Sequence, residues 1–360
     1  MILKRTYLLA VAMLVGALVT PGAALSARSP QPRLEAPTLA ELDFGNGAAM
    51  RTRLLVNAPR RLTGLSWSGG TYTLPDGMKV SVYVSSAYPE AEPLARKWAD
   101  FFGGLVHGSE ISAMKAYFAP LEDVQEMCGS VEAIGCYGGQ ELVVTGDSST
   151  GIPPASVAAH EYGHHIAANR VNPPWPAIDW GTKRWSSQLG VCSRVKSGTA
   201  FPGDEDYNYS LNPGEAFAES YRVLVETNGT AQGYSWPIVD PSFRPNLQSL
   251  EALRDDVLKP WTGPTTTKIA GKFLRRSRTW STQVATPLDG DLRVQLTASG
   301  RGANDVALLS GDGQTVLATG SWSSSGGKSL EYRVCGARSV KVRVARGGAA
   351  ARFTLRVVVP

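Results

Sequence analysis

The chain has 360 residues, 43% apolar and 19% charged, with 38 glycines and 23 prolines. That composition excludes a wholly disordered chain, and the length leaves room for two domains. Its 36 Lys and Arg against 31 Asp and Glu leave a formal net charge of +5, too small to argue for a nucleic-acid partner.

The N-terminus reads as a secretory signal over residues 1–27. Lys4-Arg5 form a basic start, Leu8 to Val19 an apolar run, and small residues follow at Gly22-Ala23-Ala24 and Leu25-Ser26-Ala27. The apolar run falls short of the roughly 20 residues that span a bilayer, and no later segment is apolar enough to do so. The expected product is therefore secreted and extracellular, with no membrane span once the signal is removed. Cleavage after Ala27 removes Lys4 and Arg5 and lowers the charge from +5 to +3. The basic clusters Arg51 to Arg61 and Lys272 to Arg278 read as solvated faces, able at most to adhere weakly to an anionic cell surface.

Residues 28–68, rich in Pro, Ala and Gly at their start, read as a flexible lead-in or short pro-segment. From Gly69 the pattern becomes regular. Thr71 to Leu74, the turn Pro75-Asp76-Gly77 and Lys79 to Ser85 predict a β-hairpin. Pro89 to Phe102 predicts a helix, with Leu94, Trp98, Phe101 and Phe102 at helical spacing. Ile111 to Phe118 predicts a strand, Leu121 to Met127 a short helix, and Glu141 to Thr145 a short apolar strand. Cys128 and Cys136 bracket what reads as a Gly-rich loop, Gly129 to Gly135. In an exported chain with four cysteines they are the natural local pair, which leaves Cys192 for Cys335.

A helix is predicted from about Pro154 to Asn169, since proline suits a helix start and Asn172-Pro173-Pro174 ends it. Asn172 to Gly203 offers no clear element and holds Trp175, Trp180 and Trp185, which read either as a specificity wall or as buried structural residues. Asn212-Pro213-Gly214-Glu215 opens a further helix that ends at Asn228-Gly229, and a last one runs from about Leu247 to Leu258. Thr262 to Thr267 reads as a linker. Beyond it, short alternating runs at Leu292–Leu296, Val306–Leu309, Val316–Thr319, Leu330–Val334, Val340–Val344 and Phe353–Val359 predict an antiparallel sandwich over residues 268–360. The predicted fold class is α+β: a domain over residues 69–261, then a small all-β domain.

Three of the four histidines lie in His160-Glu161-Tyr162-Gly163-His164-His165. On a helix, H-E-x-x-H sets two imidazoles one turn apart on one face, where both can ligate one zinc ion, with the glutamate placed as general base. His165 is turned about 100° away from His164 and reads as a core or supporting residue, and His107 as structural. Positions 167 and 170 are Ala and Arg, so no third histidine extends the motif and a carboxylate has to complete the site. Glu215-Ala216-Phe217-Ala218-Glu219 is the candidate. Glu215 would ligate zinc, and Glu219, one turn on, would accept an imidazole N–H. Two alternatives stand beside this: Glu215 as only the cap of its helix with Asn212, and Glu219 as ligand with Glu215 as cap.

These residues together resemble the gluzincin class of zinc metallopeptidases. The E-x-F-A-E form is similar to the catalytic domain of anthrax lethal factor and its relatives, over about residues 154–226. The resemblance implies a zincin-like domain with one zinc per chain and cleavage of a protein or peptide substrate. It also implies a tyrosine before the glutamate ligand that supports the oxyanion. Tyr207 and Tyr209 both lie near that place, neither at the usual offset; Tyr209 is preferred. In the implied reaction His160, His164 and Glu215 hold the metal and Glu161 takes a proton from water and passes it to the leaving amine. The resemblance further suggests that Glu141–Thr145 lines the cleft and pairs with an extended substrate. The C-terminal part resembles small modules appended to secreted bacterial peptidases, suited to a cell-surface or cell-wall polymer. Two other readings are an exported, non-catalytic surface or binding protein of zincin-like fold, and a hydrolase of cell-wall peptides.

Overall fold

Alternating and fully apolar runs in the first half assemble into one six-stranded sheet. The computed structural model describes residues 51–147, 151–274, 276–298, 304–322, 327–347 and 352–360. The expected signal and residues 28–50 lie outside the described residues. Strands β1 (Arg51–Leu54), β2 (Trp67–Thr73), β3 (Lys79–Ser85), β4 (Lys115–Ala119), β5 (Ala133–Gly138) and β6 (Glu141–Thr145) lie in the order β1-β5-β6-β4-β3-β2. Strands β3, β4 and β6 are mutually parallel, β2 and β5 run antiparallel to their neighbours β3 and β6, and β1 runs parallel to β5. Every residue of β6 is buried and all of β4 but Lys115, as expected of parallel strands covered on both faces.

Helices supply the cover. Helix α1 (Ala91–Gly104) buries Leu94, Trp98 and Phe102 on one stripe, and Trp98 stacks on Phe118 of β4 with ring centroids 4.0 Å apart. Helix α2 (Leu121–Cys128) is joined to β5 by the disulfide Cys128–Cys136. Helix α3 (Pro154–Ala168) is buried along almost its whole length, as expected of a helix enclosed on all sides. It packs on β5 and β6 and, across its other face, on α7 (Pro213–Glu226). The approach is close because Gly163 of α3 lies against α7: a Cβ there would stand 2.7 Å from the Ala218 Cα.

Several expectations need correction. Residues 51–68 are not a flexible lead-in, because β1 and the start of β2 belong to the sheet. Ile111–Phe118 is a 3-10 turn at Ser109–Ala113 followed by β4. Asn172 to Gly203 carries three short helices, α4 (Ala177–Trp180), α5 (Lys183–Gln188) and α6 (Val191–Lys196). Asp256 of α8 (Leu247–Leu258) caps α5 from outside by accepting the N–H groups of Arg184 and Trp185 at 2.7 and 3.1 Å. Of the three tryptophans, Trp185 is fully buried against Phe217. Trp175 and Trp180 stack on each other, and the Arg333 guanidinium lies over the Trp175 ring.

The second half has its own core. One antiparallel sheet, in the order β11-β10-β14-β8, comprises β8 (Thr279–Ala285), β10 (Asp305–Ser310), β11 (Val316–Thr319) and β14 (Ser339–Ala345). The other, in the order β12-β13-β9-β15-β7, comprises β7 (Thr265–Lys272), β9 (Gly290–Ala298), β12 (Ser321–Trp322), β13 (Lys328–Val334) and β15 (Arg352–Val359). Val294, Leu308, Val342 and Leu355 lie in the apolar core that the two sheets share. Part of the expected linker is strand, since β7 starts at Thr265 and pairs along its length with β15. Cys192–Cys335 ties α6 to the turn after β13, so both expected disulfides are present.

Candidate metal centre

Helical periodicity alone sets His160 and His164 on one face of α3, their ring centroids 5.0 Å apart. The second helix brings Glu215 to that face. Asn212 caps α7, its side chain accepting from Gly214 N at 2.9 Å, so Glu215 is free of the capping role and turns inward. Its Oε2 lies 3.2 Å from His160 Nε2 and its Oε1 3.2 Å from His164 Nε2. One donor atom from each of the three residues falls within 4.8 Å of the others, and all three side chains are buried.

Glu219, one turn along α7, holds the far side of His160: its Oε2 stands 3.1 Å from Nδ1. Nδ1 donates its proton there, which leaves Nε2 as the ring nitrogen that would ligate a metal ion once deprotonated. Arg222 fixes Glu219 in turn, donating to Oε2 from Nε at 2.9 Å and to Oε1 from Nη2 at 2.7 Å. It also binds the Ser235 carbonyl at 2.7 Å and pairs with Glu226.

The electrostatics follow from burial and these pairings. Burial alone would lower His160, but the carboxylates of Glu215 and Glu219 outweigh it and hold the imidazole up at about 10. His164 is lowered by burial despite Glu215. Against their own burial, Glu215 is held low by His164 and His160, and Glu219 is held at about 2 by Arg222 and His160. Burial pushes Glu161 well above the usual carboxylate range. Neither Glu161 oxygen has a hydrogen bond, nor has His164 Nδ1, and the 3.2 Å approach of Glu215 Oε1 to His164 Nε2 is not aligned as one.

Buried polar atoms without partners cost several kcal/mol in an apolar setting (about 2–7 per group). Two imidazoles and a carboxylate converging on one point form a donor set that a divalent metal satisfies. The residues present therefore fit a metal ion.

The remaining candidates sort cleanly. Tyr209 is buried with its hydroxyl 2.6 Å from Glu215 Oε2, whereas Tyr207 is 93% exposed. His165 is held by Tyr137 and by the Glu110 carbonyl, 2.8 Å from Nε2. His107 faces Asp76, 3.6 Å away. Strand β6 cannot pair with a substrate, because β5 and β4 occupy both of its edges.

Sequence reasoning missed four residues. Arg222 was within reach, being seven positions after Glu215 on the same helix face. Gly135 of β5 leaves room for the general-base candidate: a Cβ there would meet Glu161 Oε1 at 2.7 Å. Glu205 accepts from Leu54 N at 3.1 Å and Asn212 Nδ2 at 2.7 Å, and burial with the nearby Glu215 charge raises it to about 8. Thr52 of β1 places its hydroxyl 3.0 Å from His160 Nε2, 2.8 Å from Tyr209 OH and 3.3 Å from Glu215 Oε2. No local pattern announces Thr52 or Glu205.

No protein-family model matches the sequence, and no curated protein matches it. Among solved structures, the pre-peptidase C-terminal domain of a collagenase from Bacillus anthracis is 14% identical, with 26% of this chain and 88% of that chain covered at a TM-score of 0.22. A Yersinia pseudotuberculosis-derived mitogen is 12% identical, with 27% and 87% covered at a TM-score of 0.21.

Proposed function

We propose that this chain is an exported, zinc-dependent hydrolase of peptide bonds. One observation carries the reading. His160, His164 and Glu215 converge in a buried site, beside a second buried carboxylate, Glu161, that has no hydrogen bond. Zinc bound there would supply the Lewis acidity that polarises a scissile carbonyl and acidifies water. His160, His164 and Glu215 hold it, while Glu219 and Arg222 fix the orientation of His160. Glu161, buried with neither carboxylate oxygen hydrogen-bonded, accepts a proton at one of those oxygens and returns it to the departing amine. The Tyr209 hydroxyl donates a hydrogen bond to the carbonyl oxygen as charge builds on it, keeping its own proton.

The purified chain should carry one zinc per molecule by elemental analysis and lose it in His160→Ala. Glu161→Gln should keep the metal and lower cleavage of a peptide library, wall-type crosslinked peptides included, by about 10²–10⁴. A wild-type chain that takes no metal would overturn the reading. A second reading, an exported binding protein without catalysis, draws support from Thr52, whose hydroxyl lies among the ligand atoms. Metal uptake without cleavage by any form of the chain would favour it.

A further inference from the structure

The groove in front of the histidines is filled by the chain itself. With β1 absent, the order of the sheet would leave β5 as the edge strand nearest the metal ligands, its outer side open to an extended peptide. Strand β1 lies along that edge. Arg51 N donates to Glu132 O at 3.0 Å and Leu55 N to Tyr137 O at 2.7 Å, while Leu54 N is held by Glu205. Thr52 is buried at the centre, with Tyr209 OH 3.1 Å from its carbonyl oxygen and the Arg51 guanidinium over the Tyr209 ring. Between the metal-ligand atoms of His160 and Glu215 the segment thus sets a side-chain hydroxyl, which cannot be hydrolysed.

The path beyond β1 is also built for this segment. A Cβ on Gly138 would stand 2.1 Å from Asn57 O, and one on Gly139 2.9 Å from Ala58 N. The β5–β6 turn is bare of side chains where residues 57 and 58 cross it. Past Leu55 the chain has no helix or strand before Trp67, and Val56, Asn57, Ala58, Arg60, Arg61 and Thr63 are exposed, Val56 at 99%.

We infer that Arg51–Leu54 is an occluding strand that holds the enzyme latent by seating Thr52 among the metal ligands, and that cleavage of the exposed Val56–Ala58 stretch opens the groove. The inference rests on the hydrolase reading. The opening step is ordinary hydrolysis: a peptide C–N bond breaks, water gives its hydroxyl to the carbonyl carbon and a proton to the nitrogen, and no other reactant is consumed. Uncut, the tether holds β1 at a high local concentration. Once cut, a four-residue strand has to rebind from solution, and the β5 edge becomes available to an extended peptide substrate.

The test uses the full exported chain with a recognition sequence for a highly specific protease inserted between Val56 and Asn57. Peptide hydrolysis and the rate at which a chelator strips zinc are measured before and after cutting. Thr52→Ala and Thr52→Ser are measured uncut. We expect at least a tenfold rise in both rates on cutting, a smaller rise in Thr52→Ala, and none in Thr52→Ser, which keeps the hydroxyl. Unchanged hydrolysis and unchanged zinc loss in the cut chain would overturn the occluding strand, and would leave the hydrolase reading intact if peptides are cleaved throughout. Faster zinc loss on cutting with no hydrolysis in any form would sustain the occlusion and overturn the hydrolase. Failure of every form to bind zinc would overturn both.

Discussion

At the scale of single residues, the centre depends on what stands behind its ligands. Glu219 is buried between His160 and Arg222, its carboxylate hydrogen-bonded to both. Its part is to fix one imidazole's proton and orientation. Removing such a partner costs 10–100-fold in metal affinity in comparable sites, so Glu219→Gln should weaken zinc binding by about that factor. Arg222 keeps Glu226 and the Ser235 carbonyl in that variant, so the fold should persist. Titration against a chelating dye, with circular dichroism as the control for folding, measures the effect; unaltered affinity would remove Glu219 from this role.

Among the elements, the packing of α3 on α7 decides the site, since the histidines ride on one helix and Glu215 on the other. Gly163 sets their separation. In Gly163→Ala the new methyl group would face Ala218 backbone atoms at 2.7 and 3.0 Å, and backbone cannot swing aside as a side chain can. Overpacking of this kind costs about 1–3 kcal/mol, against which alanine returns about 1 kcal/mol of helix propensity. The expected result is a net loss of stability in urea unfolding together with weaker zinc binding, because the helices must part. A variant as stable as wild type with full affinity would show that the helices tolerate the shift. The elements that escaped the sequence reading have specific reasons. Helix α5 is capped by Asp256, seventy-odd positions away in the chain. Strand β5 reads as loop because Gly135 yields to Glu161 and Gly138 to Asn57. Strand β1 has no apolar run, being held by pairing to β5 and by the burial of Thr52.

For the whole molecule, the notable contact is between the two halves. Lys183 of α5 is buried, its Nζ 2.8 Å from Pro173 O and over the rings of Trp175 and Trp261. Around the same boundary Asp289 N donates to Ser187 Oγ at 2.9 Å, and Cys192 is bonded to Cys335. Burial lowers the Lys183 ammonium to about 8, despite the charges of Asp289, Asp291 and Asp256. Between about pH 8 and the ordinary lysine value the unfolded chain therefore holds a proton that the folded chain has released, so folding stability rises with pH across that window. The gain is bounded at about 1.4 kcal/mol for each pH unit crossed. Lys183→Met should lack this rise. Urea unfolding of both proteins between pH 7 and 10.5 checks it; parallel stability curves would show that Lys183 stays charged in the folded protein.

The sequence by itself determined the chemistry that follows from local periodicity. His160 and His164 share a face because an α-helix repeats every 3.6 residues. Asn212 and Pro213 start α7 in a way that leaves Glu215 pointing inward, and the alternating strands of the second half pair across a common core as their pattern requires. The tertiary structure alone decided what meets those residues. Thr52 lies more than a hundred positions from His160 in the chain, and Glu205, Gly135 and Asp256 likewise act on residues far along it. Such contacts depend on strand order and helix packing, which no local spacing encodes. For that reason the candidate metal ligands His160, His164 and Glu215 were legible in the sequence, and the strand that lies beside them was not.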